Sequence, residues 1–130
     1  MITLTKQQAT EVLAEMRGWK KKYVNDGNEP RGRYWCRGCA PMCLVKDFQP
    51  LEDANQAIEC LEAWRKQVKS RRVHLCTFSA YGDGDPYSNC ELFEEVEEVV
   101  PHGYDEHPDL KHAICTALVS AYKGETVEVE

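Results

Sequence analysis

The sequence predicts an α+β fold, with a small, mostly antiparallel sheet of about three to four strands layered with three helices. Apolar residues recur at helical spacing in three segments that carry capping residues. Between the second and third of these, two runs rich in β-branched and aromatic residues flank Gly82-Asp83-Gly84-Asp85-Pro86, a hairpin pattern. At 130 residues, of which 42% are hydrophobic, the chain fits one domain spanning residues 1–130.

The first helix is expected from Lys6 to Arg17. Thr5 caps it, Gln8 completes a capping box, and Ala9, Val12, Leu13 and Met16 form its apolar stripe. Gly18 stops it and lets Trp19 fold back onto the stripe. Lys20-Lys21-Lys22 leads to Tyr23-Val24 and a turn from Asn25 to Pro30. Arg33-Tyr34-Trp35-Cys36 reads as a short strand. Residues 36–50 read as an irregular, cysteine-rich loop, because Gly38 and Pro41 interrupt regular structure.

Asp53 caps the second helix, with Gln56 in support, and Ala54, Ala57, Ile58, Leu61, Trp64 and Val68 as its buried face. Glu62 and Lys66 form an i,i+4 pair on the wet face. Strands follow at Val73–Tyr81 and Tyr87–Val96, and Val99-Val100 adds a continuation or a short edge strand before Pro101-His102-Gly103 ends the sheet. The last helix starts at Pro108 and stops at Gly124, with Leu110, Ala113, Ile114, Ala117, Leu118 and Ala121 inward. The tail from Thr126 to Glu130 is frayed or an edge strand.

Composition narrows the function. No run approaches the ~20 apolar residues of a membrane span, and the first residues do not read as a secretory signal, so a cytoplasmic protein is expected. In a reducing compartment the seven cysteines read as buried thiols or metal ligands. Net charge is −6, unevenly spread: residues 1–82 hold 14 of the 16 Lys/Arg and 9 of the 22 Asp/Glu. Sequence-independent binding to duplex nucleic acid is disfavoured by that acidity.

Three stretches carry a resemblance to a known family. Thr5-Lys6-Gln7-Gln8-Ala9 through Met16-Arg17-Gly18-Trp19 resembles a short leading helix ending in Gly-Trp. Phe48-Gln49-Pro50-Leu51-Glu52-Asp53-Ala54 looks like a "hydrophobic-x-Pro, then Asp-Ala" entry to a central helix. Leu110-Lys111-His112-Ala113-Ile114-Cys115 is similar to a closing helix of leucine, two variable residues and Ala-Ile-Cys. In that order they resemble the phage ABA-sandwich family of small bacteriophage proteins. The resemblance implies a phage or prophage origin and interference with a host protein. The cysteine cluster from Cys36 to Cys43 departs from it.

Cys36-x2-Cys39-x3-Cys43 spaces three thiolates for one structural zinc, with a fourth ligand from elsewhere. His102, His107 and His112 lie among Asp105, Glu106 and Asp109, but their spacing of five puts no two on one helix face, so a solvated acidic loop is expected. Cys115 points away from its helix's stripe, toward solvent or a partner. Glu94, Glu95, Glu97 and Glu98 concentrate negative charge that attracts a basic partner. Arg31, Arg33 and Trp35 combine cations with an aromatic face that suits a small ligand or nucleotide, and Lys20-Lys21-Lys22 with Arg31-Gly32-Arg33 is a candidate phosphate contact. No P-loop, dinucleotide or nucleophile-elbow motif occurs. The leading expectation is therefore a non-enzymatic protein that binds a host protein through its glutamates. The alternatives are a small-ligand or nucleotide-binding protein, a zinc-stabilised accessory protein of nucleic-acid metabolism, and, behind these, a metal-dependent enzyme.

Overall fold

A computed structural model of the chain describes residues 1–25, 30–79 and 86–130; most of both expected turns, at 26–29 and 80–85, lies outside them. The described elements run β1 (Ile2–Leu4), α1 (Lys6–Met16), β2 (Lys20–Val24), β3 (Gly32–Arg37), β4 (Ala40–Leu44), a 3-10 turn (Val45–Asp47), α2 (Ala54–Gln67), β5 (Arg71–Ser79), β6 (Pro86–Glu95), β7 (Val99–His107), α3 (Leu110–Lys123) and β8 (Val127–Val129). The α+β class and the three helices agree with the sequence. The strands, however, form three sheets and not one: antiparallel β2-β3-β4, antiparallel β5-β6-β7, and a parallel β1-β8 pair that joins the two ends of the chain.

The caps of α1 and α2 follow the sequence, whereas α3 starts at Leu110 and leaves Pro108, its expected first residue, outside the helix. Thr5 and Gln8 form the reciprocal capping box of α1, Asp53 accepts from the amides of Asn55 and Gln56, and Asp109, one residue after Pro108, caps α3. Gly18 and Gly124 hold the left-handed conformation that ends α1 and α3.

Helix α3 is central. Every residue from Ala113 to Ser120 is buried, because α3 packs against α1, α2, β6, β7 and β8. Cys115 is thus fully buried rather than facing solvent. Helix α2 is rotated slightly from the expected face: Ala57, Cys60, Leu61 and Trp64 are buried, while Ala54, Ile58 and Val68 are exposed. Cys60 takes the place that Ile58 was expected to fill. On its wet face Glu62 pairs with Arg65, at i,i+3, and not with Lys66.

Two prolines did not end strands as expected. Pro41 lies in β4, an edge strand, opposite Cys36 at a register shift. Pro101 lies in β7, also an edge, opposite Phe93 at a second shift. Edge strands and bulges are where a residue without an N–H fits a sheet. Gly103, expected to help end the sheet, instead lets β7 touch α3, since a Cβ there would meet the Ala117 carbonyl oxygen at 2.2 Å.

Candidate ligand cleft

The β3–β4 hairpin does not bring the three loop cysteines together. Cys36 is buried, Cys39 is exposed at the turn, and Cys43 is half-buried. Trp35 pairs with Cys43, and both pack with the main hydrophobic core, of which Cys36 is not a part. Among the described residues no three His, Cys, Asp or Glu side chains group as a metal centre. Burial raises the thiol pKa of Cys43, of Cys60 to about 11 and of Cys90 to about 12. Burial also raises Cys115. These four are protonated at neutral pH, the state of a packing thiol and not of a nucleophile.

The histidines lie in regular structure and not in an acidic loop. His102 and His107 are on β7, and His112 is in the first turn of α3. The His107 and His112 rings stack with centroids 3.8 Å apart. His112 Nε2 meets the Val129 carbonyl at 3.1 Å, which ties α3 to β8. Asp105, 3.6 Å from His112 Nδ1, raises the pKa of His112.

The four glutamates separate into two kinds. Glu94 is half-buried: Ser70 Oγ donates to it at 2.9 Å and His102 Nε2 lies 2.8 Å from its other oxygen. The Ser70 hydroxyl, followed by His102, holds its carboxyl below the usual range. Glu95 lies 3.6 Å from Arg72. Glu97 and Glu98, in the β6–β7 turn, have no ion-pair partner among the described residues. They sit beside Val96 and Val99, both 61% exposed, and Val100. Two of the four glutamates are therefore paired within the chain, Glu94 half-buried and Glu95 on the surface.

Arg31 and Arg33 flank the start of β3 and are exposed. Trp35 is 4% exposed and lines a cleft of about 360 Å3 between α1 and the segment 45–52, whereas Arg31 and Arg33 line a neighbouring hollow that shares Val45 and Lys46 with it. The expected trio is split, and the aromatic member alone reaches this cleft. Volume and lining suit a small organic molecule, since apolar walls with a few convergent polar groups are the usual form of such a site.

Helix α1 supplies one wall. Lys6, Gln7, Thr10 and Glu11 repeat at the spacing of one helical face, the solvent side of the stripe that buries Val12 and Leu13. Trp35 and Lys21 approach from adjacent strands, paired directly in register. The third wall is Val45, Lys46, Phe48, Leu51 and their neighbours. Phe48 is buried, fixed edge-on against Trp19 with ring centroids 5.1 Å apart. The Gln56 side chain accepts from the Gln49 amide and donates to the Asp47 carbonyl, so α2 steadies this loop. Gln56 was expected only to support the Asp53 cap.

Two ion pairs cross the cleft. Lys6 Nζ lies 3.0 Å from Glu52, bridging α1 to the third wall, and Lys21 Nζ reaches Glu11 and sits 5.3 Å above the Trp35 ring. The Trp35 indole Nε1 is buried without a hydrogen-bond acceptor. Of these residues the sequence singled out Trp35 as a ligand contact and Lys21, within its lysine run, as a phosphate contact. The lining comes from four separate stretches, α1, Lys21, Trp35 and 45–52, and most of it looks by itself like ordinary polar surface or loop.

No protein-family model, curated protein or solved structure matches the chain. Among the described residues no helix is long and apolar enough to cross a membrane.

Proposed function

We propose that the protein binds a small organic ligand in the cleft between α1 and segment 45–52, without chemistry of its own. The carrying observation is the convergence of two aromatic side chains, Trp35 and Phe48, with three lysines on one concavity of about 360 Å3. The thiols whose titration is perturbed are all protonated by burial, so no activated nucleophile argues for catalysis.

Titration of 15N-labelled protein with 2-naphthoate, 2-naphthamide and AMP tests the reading by NMR. Saturable shifts confined to residues 6–11, 21, 35 and 45–52 are expected from at least one probe. Thr10→Trp, which fills the cleft from the α1 wall, should abolish them. Shifts that scatter over the surface, or that survive Thr10→Trp in a folded variant, overturn it.

A second reading rests on the β6–β7 turn, where Val96, Val99 and Val100 are exposed beside the unpaired Glu97 and Glu98. Exposed apolar side chains rimmed by one sign of charge suit a basic protein partner. This is what remains of the host-protein reading once Glu94 is paired with His102 and Glu95 with Arg72.

A further inference from the structure

We infer that the occupant of the cleft is an apolar monocarboxylate, a planar or hydrocarbon body carrying one negative charge. This rests on the cleft being a ligand site and goes on to name the ligand's class. The argument is a charge balance. Three lysines and two glutamates line the cleft. Lys6 is matched by Glu52 and Lys21 by Glu11. Among the described residues Lys46 has no ion-pair partner, so the site carries one uncompensated positive charge.

One anionic group on the ligand completes that balance. A neutral ligand leaves Lys46 unmatched, and a dianion adds a charge that either of the bridging glutamates repels. The rest of the lining asks for an apolar body, because Trp35, Val45, Phe48 and Leu51 offer hydrocarbon and ring surface. An amine or a guanidine in the same place would add a second positive charge beside Lys46.

The experiment compares isosteres on the full chain. By calorimetry, 2-naphthoate should bind the wild-type protein about tenfold more tightly than 2-naphthamide, whose shape is the same but whose charge is absent. AMP, with a ring and a doubly charged phosphate, should bind more weakly than 2-naphthoate. Lys46→Gln, an exposed substitution that leaves the fold intact, should erase the preference for the acid and keep binding of the amide. Raising the salt concentration should weaken the acid and leave the amide unchanged. Equal affinities for acid and amide, or tighter binding of AMP, overturn the monocarboxylate class while the cleft remains a site. Failure of all three probes to shift the cleft resonances overturns the cleft reading itself.

Discussion

The two three-stranded sheets meet the rest of the protein in opposite ways. Under β5-β6-β7 the packing is closed: Ser88, Cys90 and Leu92 alternate inward along β6, and Gly103 brings β7 against the backbone of α3. Beside β2-β3-β4 it is open, because Trp35 and Lys21 stand off from α1 across a cleft held by ion pairs. The first sheet contacts its helix through hydrocarbon and backbone, which tolerate no gap. The second does so partly through lysine and glutamate side chains, which span a gap and hold it open. The closed side holds the tighter packing, and the open side leaves room for the binding proposed above.

Truncation on each side should break or sustain this contrast. Leu118 is fully buried in α3, and Leu118→Ala should cost on the order of 2–5 kcal/mol in denaturant unfolding. Val45 is half-buried at the cleft, and Val45→Ala should cost under about 1 kcal/mol, because its site is already partly empty. Equal losses would mean that the open side is as tightly packed as the closed one.

The two strand glycines sharpen the comparison at a smaller scale. At Gly103 an added Cβ meets the Ala117 carbonyl oxygen at 2.2 Å and the Ala121 Cβ at 3.2 Å. Backbone must move, so Gly103→Ala should destabilise by about 1–3 kcal/mol. At Gly32 the nearest atom is Leu44 Cδ2 at 3.1 Å, the end of a side chain that can rotate. There the loss of chain entropy in the unfolded state offsets the contact, and Gly32→Ala should fall within about 1 kcal/mol of neutral. A costly Gly32→Ala would show that β3 and β4 are held as rigidly as β7 and α3.

Much of the closed side could be read from the sequence, because it depends on local signals. The Thr5 and Asp53 caps and the α3 stripe follow from residues three or four apart, the range over which periodicity reports. Errors arose where tertiary context overrode a local rule. Pro41 and Pro101 read as breakers because nothing local shows that their strands lie at sheet edges. Lys20-Lys21-Lys22 reads as part of no strand, yet it forms most of β2, another edge, where lysine is well tolerated. Cys60 and Cys115 lay outside the expected stripes, since the stripe of a helix covered on several sides is wider than one face. The cleft was legible only at Trp35 and in the lysine run that holds Lys21. Lys6, Lys21, Lys46 and Phe48 become one site through folding, and nothing in their spacing announces it.

The smallest expected effect lies where the closed side meets the chain ends. His112 faces Asp105 from β7, Asp109 from its own helix, the stacked His107 ring and the Val129 carbonyl of β8. Asp105, followed by the Val129 carbonyl, raises its pKa above the ordinary value of 6.5, against an opposing effect of burial. A raised folded-state pKa means that the native protein holds this proton more tightly than the unfolded chain. The stabilisation is complete below pH 6.5 and fades as the pH rises through the folded value. Wild-type protein should therefore lose more melting temperature between pH 6 and pH 8 than Asp105→Asn, which keeps the shape of the side chain and removes its charge. The effect should be smaller than either glycine contrast, because His112 and Asp105 keep 18% and 24% side-chain exposure and water weakens their attraction. Comparing the two slopes cancels the titration that both proteins share. Parallel slopes would show that Asp105 does not favour the charged ring, and would leave the Val129 carbonyl as the sole contact holding His112 against β8.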